Sequence, residues 1–254
     1  MRSYYAFTKK ELLEQLRTFK WLIILSVCFL FGMMSPLTAK LLPEIFKNMK
    51  IEGMEIVIPE PTILDAYGQF FKNFTQMGIL AVLLVFGGSL SNELVKGTLI
   101  NILAKGLPRH TVILSKYTAS VILWTVGYVL AAVTAYGYTA YLFEAASMDN
   151  LIFSMFCLWL FGCFVLALIY LSSTLAAGNF SGLILSGAAL VVMLMITILP
   201  KTGKYNPVTL ASKNIELLTG AQKVEDMMIT VAVSCILTIA GLVFSILLFR
   251  RKKL

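Results

Sequence analysis

The side chains able to do acid–base, nucleophilic or metal chemistry are few in this sequence, and their spacing argues against it. His110 is the sole histidine, so a histidine cage for a metal cannot form within one chain. Cys28, Cys157, Cys163 and Cys235 each lie in an apolar run with no C-x-x-C pair, and read as small apolar packers. The stretch Gly178-Asn179-Phe180-Ser181-Gly182 sets a serine among glycines. A serine nucleophile needs a base within hydrogen-bond reach, and His110 falls in a loop rather than in a later span. A G-x-x-x-x-G-K-[ST] phosphate loop is missing, so the chain has no ATPase site of its own. No catalytic, cofactor-binding or metal residues are assigned. What remains is a charged stretch, 92–116, that carries Glu93, Lys96, Lys105, Arg109 and Lys116.

The elements that must carry this stretch follow from composition. Of 254 residues, 59% are hydrophobic and 13% charged, against about 25% charged in soluble domains. That composition excludes a plain soluble enzyme and a disordered tail. A bilayer span takes about 20 apolar residues. Six such runs are present, at 21–39, 74–91, 117–143, 151–175, 180–199 and 227–249, with no period-two alternation. The chain reads as an all-α integral membrane protein, a single transmembrane domain over 1–254 with six transmembrane helices. Spans four and five are separated only by Ala176-Ala177-Gly178-Asn179, a tight hairpin. The first run is read as a retained anchor, because it is of span length and no A-x-A site follows it.

Basic residues set the orientation. With the N-terminus in the cytoplasm, the inner segments hold thirteen basic residues against Glu11, Glu14 and Glu93. The net charge of +8 therefore concerns topology and lipid rather than nucleic acid. Both termini are expected to be cytoplasmic, in the cell membrane of a bacterium. Tyr136, Tyr138 and Tyr141 then fall near the outer headgroups. No Asp, Glu, Lys, Arg or His lies inside any of the six runs. Ionisable groups at membrane depth normally mark ion paths or proton relays, so energy for uphill movement has to come from another polypeptide.

Three flanking segments have patterns of their own. Residues 5–20 form an amphipathic helix with Leu12, Leu13, Leu16 and Phe19 on one face and Tyr5 beside them. Glu11, Glu14 and Thr18 lie opposite. It is expected in the headgroup plane, as a membrane anchor or as a docking surface for a cytoplasmic subunit. In the coupling loop, 92–116, Thr98 is a candidate N-cap, Leu99–Lys105 a short helix, Gly106 its C′ residue and Pro108 a stop. Leu99, Ile100, Ile102 and Leu103 cover one side, Asn101 and Lys105 the other. A helix parallel to the membrane or a plain interfacial loop both fit. In the outer loop, 40–73, Thr62 and Asp65 form a near capping box. Ile63, Leu64, Tyr67, Phe70, Phe71 and Phe74 then share a face, which predicts an interfacial helix leading into the second span. It serves as simple re-entry or caps the outer mouth. The segment 200–226 is mixed in charge and uninformative.

At these residues the chain resembles the membrane subunits of ATP-binding-cassette (ABC) exporters of the type-2 permease family. That family's loop between spans two and three reads as an acidic residue, Gly-Thr, a leucine-rich turn, Pro, a basic residue and a later Lys. Here those are Glu93, Gly97-Thr98, Leu99 and Leu103, Pro108-Arg109 and Lys116. Ile100 departs from it, where many members place Glu. The resemblance covers nearly the whole chain. It implies that Glu93, Gly97, Thr98, Leu99, Asn101, Leu103, Lys105, Pro108 and Arg109 couple the spans to a cytoplasmic ATPase holding ATP and Mg. A second permease chain, identical or related, is implied, and 5–20 matches the family's connecting helix. Gly178–Phe180 is a candidate second contact. Gly178, Gly182 and Ser186 supply small residues for close helix packing, within one chain or at the dimer seam. By contrast, Gly178–Gly182 resembles the G-x-S-G motif of rhomboid proteases only in part, since Asn179 replaces the first glycine.

An uncharged interior rich in aromatic residues and methionine suits an amphipathic or apolar cargo. The reading carried forward is export of a hydrophobic or amphipathic peptide. Drug or lipid export, a non-transporting scaffold or immunity-type membrane protein, and a membrane-embedded enzyme are the alternatives. Trp124, Tyr128 and Trp159 are cargo-contact candidates that core or bilayer roles explain equally.

Overall fold

A computed structural model describes residues 2–48, 60–104, 106–143, 147–175, 178, 180–197 and 203–252. Helix follows the apolar runs: α1 (Arg2–Arg17), α2 (Lys20–Asn48), α3 (Ile63–Asn73), a π turn (Phe74–Gly78) and α4 (Ile79–Phe86). Short helices α5 (Ser91–Val95) and α6 (Thr98–Ala104) lead to the long α7 (Arg109–Phe143). Next come α8 (Leu151–Leu175), α9 (Ser181–Thr197), a 3-10 turn (Gly203–Tyr205), α10 (Thr209–Ser212), α11 (Asn214–Leu218) and α12 (Val224–Arg251). Among the described residues there is no strand, and five helices are long and apolar enough to cross a membrane: Lys20–Pro43, Ile63–Val95, Arg109–Phe143, Leu151–Leu175 and Val224–Arg251. The expected fifth span, 180–199, is described over Ser181–Thr197 as an apolar helix of 17 residues, about 25 Å long.

A helix apolar on every side must be surrounded, and α8 occupies the centre. Cys157, Leu158, Val165, Leu166, Ile169 and Tyr170 are buried on it, with α4, α7, α9, α10, α11 and α12 around it. Its seam with α7 is stitched by aromatic donors. Trp124 Nε1 donates to the Trp159 carbonyl (3.1 Å), Trp159 Nε1 to Thr125 Oγ1 (3.0 Å), and Tyr128 OH to the Met155 carbonyl (2.8 Å). A buried donor needs such a partner where no water competes. Trp124 and Tyr128, candidates for cargo contact, are thus fully buried seam residues.

Glycines allow the closest approaches. A methyl group on Gly32 of α2 would lie 2.7 Å from the Ala131 carbonyl of α7, and one on Gly162 would run into the Trp124 indole. Gly182 of α9 presses on Ser173 of α8 and on the Gly87 carbonyl after α4, and Ser186 Oγ donates back to the Gly182 carbonyl (2.7 Å). The small residues Gly182 and Ser186 therefore serve packing within one chain. Gly178, with only ordinary contact to Ser181, makes no close approach.

Several sequence boundaries are corrected. The helix expected over 5–20 spans Arg2–Arg17, because Phe19 adopts a left-handed φ of 57° that separates it from α2. The outer loop 40–73 is shorter than expected, since α2 runs on to Asn48 and Ile63–Asn73 continues through the π turn into α4. The Thr62–Asp65 capping box forms as expected. Its aromatic face does not lie on headgroups, however: Tyr67, Phe70, Phe71 and Phe74 are all buried. Phe74 packs edge-on against Tyr128 at 5.6 Å, a better setting for four rings than a wet interface. Span three starts at Arg109, so Arg109 and Lys116 are helical rather than in a loop. Pro108 precedes that start, a position where proline costs no hydrogen bond. The segment 203–218 also folds back, burying Val208, Leu210, Leu217 and Leu218 in the main core.

Gly32→Val and Gly162→Val are expected to destabilise the protein by about 1–3 kcal/mol each, the usual cost of overpacking. Thermal unfolding in detergent measures this, and Gly187→Val, where nothing lies within 4 Å of an added methyl, should leave the midpoint nearly unchanged.

Candidate functional site

At one end of the bundle the charged stretch found in the sequence comes together. Lys116 lies two turns inside α7 and is 1% exposed. Its Nζ donates to Glu11 Oε2 of α1 (2.8 Å) and to Glu93 Oε1 of α5 (2.7 Å). Lys10 extends the cluster outward, with Glu11 Oε1 at 3.0 Å and Glu14 Oε2 at 2.6 Å. Three carboxylates gather within 4.8 Å of one another, and the two ammonium groups are bonded to them. Like charges so close demand counter-ions, and the lysines supply them, which explains the geometry without a metal. Burial alone would depress the Lys10 ammonium, but Glu14, Glu11 and Glu93 outweigh it and hold it above the usual lysine value. Burial would likewise raise the Glu14 carboxyl, and the bond from Lys10 together with Lys116 pulls it below its usual value instead. Glu14's share of the cluster's stability is therefore full at neutral pH and is lost as pH falls through that lowered value.

This arrangement revises the reading of α1. The sequence placed Glu11 on a face turned away from the apolar one, and the structure turns that polar face onto the protein. Phe7, Thr8, Glu11 and Gln15 are buried, while Leu13 (43%), Leu16 (49%) and Phe19 (63%) are left uncovered and Leu12 is half-buried. Only an ion pair compensates for burying the Glu11 carboxylate, and Lys116 lies more than a hundred residues further on.

The loop itself is mounted on this cluster. Gly97, with φ of 68°, ends α5 and reverses the chain into α6, a conformation that costs a side-chain-bearing residue more. Thr98 is the first residue of α6 rather than its N-cap, and its hydroxyl donates to the Glu93 carbonyl (3.3 Å). Leu99 is fully buried in a second apolar cluster with Phe7, Leu90, Val112, Ile113, Tyr170 and Phe249, and Leu103 packs against it. Ile100 does not share that side; it is 43% exposed, with Asn101 and Ala104 exposed on the same short helix. Gly106 takes φ of 89° at the helix end as expected, Pro108 is exposed, and Lys105 lies outside the described residues.

Arg109 is turned inward. Its Nη1 donates to the carbonyls of Phe249 (2.7 Å), Arg250 (3.0 Å) and Lys252 (2.7 Å), the unpaired acceptors at the end of α12. Its guanidinium lies 5.8 Å from the Phe249 ring. Lys252 Nζ in turn donates to the Thr174 carbonyl of α8 (3.2 Å). The start of α7 and the ends of α8 and α12 are thereby tied to the end of the bundle that holds α1, α5 and α6. Gly178 lies near this end beside Ser181, with Phe180 68% exposed. The capping role of Arg109 was not legible from sequence, because backbone carbonyls carry no residue signal.

Removing Lys116 takes away the buried counter-charge of Glu11 and Glu93 and leaves them the half-exposed Lys10 alone. Lys116→Met is expected to cost about 3–5 kcal/mol, read as a lower unfolding midpoint in detergent. Adding Glu11→Leu and Glu93→Gln should recover most of the loss, since an apolar replacement of a buried ion cluster is close to neutral.

No family model matches the chain. It is 24% identical over 262 residues to an uncharacterized transmembrane protein, YxlG, of Bacillus subtilis (strain 168), covering 99% of this chain and 98% of that one. With the five span-length apolar helices, this likeness makes the chain an all-helical, multi-pass transmembrane protein.

Proposed function

We propose that this chain is the permease subunit of an ATP-driven exporter of the ABC type-2 kind, docked on a separate cytoplasmic ATPase that holds ATP and Mg. In this reading α9 is a sixth span and both termini are cytoplasmic. Two permease chains, identical or related, make the path across the cell membrane, and the cargo is a hydrophobic or amphipathic peptide.

The observation that carries the reading is the mounting of α6. Its inner side is fixed by Leu99, its first residue Thr98 bonds to the backbone of Glu93, which pairs with Lys116, and its outer side, with Ile100, Asn101 and Ala104, is uncovered. A force applied to that outer side passes through the buried Leu99 contact into α7, and through Thr98 and Glu93 to Lys116 and α1. Val95 (54% exposed) and Pro108 widen the surface. The uncovered leucines of α1 face lipid in this arrangement, as in an interfacial anchor. Arg109 contributes by holding α12 to α7 rather than by reaching the ATPase.

The spans supply no alternative motor. α8 and α9 contain no Asp, Glu, His, Lys or Arg, and Lys116, the deepest charge on α7, is neutralised by two carboxylates. Ion-coupled transporters ordinarily expose such groups to a pathway.

Co-purification with a cytoplasmic ATPase, sought first among the products of neighbouring genes, is the direct test. Ile100→Arg and Asn101→Arg are expected to weaken docking by about tenfold or more, as loss of an interface hot spot does, while the unfolding midpoint stays put. Gly97→Val should abolish export. In liposomes without the ATPase the protein should move no cargo uphill; uphill flux driven by an ion gradient alone would overturn the reading, and failure to bind any ATPase would favour a scaffold.

A further inference from the structure

The other end of the bundle holds a cleft of about 650 Å³ between the end of α2, the α3–π-turn segment and α10–α11. That volume suits a small ligand or a few residues of a peptide. Leu64, Phe71 and Ile215 give it apolar walls, and Gln69, Gln76 and Asn214 bring carboxamides to them. Among the described residues that line it Lys72 is the one cation, and the Asp65 carboxylate is already engaged by the Thr62 backbone N–H (2.8 Å) and hydroxyl (2.7 Å).

Asn214 points to a ligand. It lines the cleft at 1% exposure, and its Nδ2 donates to the Ala211 carbonyl (2.9 Å), yet its Oδ1 has no hydrogen-bond partner. A buried acceptor left unpaired is unfavourable unless something donates to it. A second feature adjoins it. Thr75 and Gln76 belong to the π turn, and Thr75 Oγ1 donates to the same Ala211 carbonyl (3.3 Å). Single π turns inside helices are costly and are found often at functional sites.

We infer that this cleft binds a short apolar peptide segment. Peptide N–H groups supply the donor that Asn214 lacks, carboxamides pair with peptide backbone in both senses, and a C-terminal carboxylate matches the single Lys72. A phospholipid headgroup is the poorer fit, because headgroup sites gather several basic residues and the described lining has a single lysine with a carboxylate nearby. The inference deepens the export reading by giving its cargo a contact on the face opposite α6, and it rests on that reading for its biological role.

The test uses the full chain in phosphatidylcholine nanodiscs, without ATPase, and fluorescein-labelled Leu-Ala-Leu-Phe-Ala-Leu with a free C-terminus. Saturable binding above empty discs is expected. Asn214→Ala should weaken it about tenfold, near the effect of one buried hydrogen bond, and Gly68→Leu, which fills the cleft beside Ile215, should abolish it. Lys72→Gln should weaken the free acid but not the peptide amide. If Asn214→Ala fails to fold, the Gly68 and Lys72 variants decide. Absence of saturable binding, binding indifferent to these variants, or displacement by phosphatidylglycerol with acid and amide bound alike would each overturn the assignment. Because no nucleotide is involved, the cleft can fail while ATPase docking holds, and the reverse.

Discussion

A lysine ammonium sealed from solvent between two carboxylates is the constraint on which this end of the molecule depends. Glu11, Glu93 and Lys116 come from three elements far apart in sequence, and none of the three is tolerable there without the others. The pairing therefore dictates where α1 lies, which of its faces meets the protein, and how the chain leaves α4. Leu99 and the apolar cluster around it complete the same joint with packing in place of charge. Ion pairing sets the geometry, and apolar burial supplies most of the favourable free energy.

The remainder of the bundle solves a different problem. In an apolar medium nothing outside the protein can hydrogen-bond, so each aromatic donor of the α7–α8 seam finds a carbonyl or a hydroxyl. Small residues then bring helices close enough for dispersion to act, at Gly32 against Ala131 and at Gly182 against Gly87. The two ends differ in kind. One is charged, tied and presents the exposed side of α6, and the other is open, carboxamide-lined and built around a helix irregularity.

Much of the fold was legible because its cause is local. Apolar runs longer than a turn of membrane make helices, Thr62 and Asp65 start one, and Gly97 and Gly106 turn the chain where only a permissive backbone can. The segment 92–116 was legible for the same reason, as a Gly-bounded helix between two spans. Arg109 and Glu11 were misjudged because their partners are nonlocal. One binds backbone carbonyls of the last helix and the other a lysine in the third span.

From the sequence alone come helical class, membrane residence and the absence of charge from the six apolar runs, since these depend on composition and on patterns a few residues long. Only tertiary structure decided that the polar face of α1 is the buried one, that 203–218 completes the core, and that Asn214 is left with an unpaired oxygen beside a cleft. Those outcomes turn on which distant group arrives within hydrogen-bonding distance, and periodicity along a chain carries no record of that.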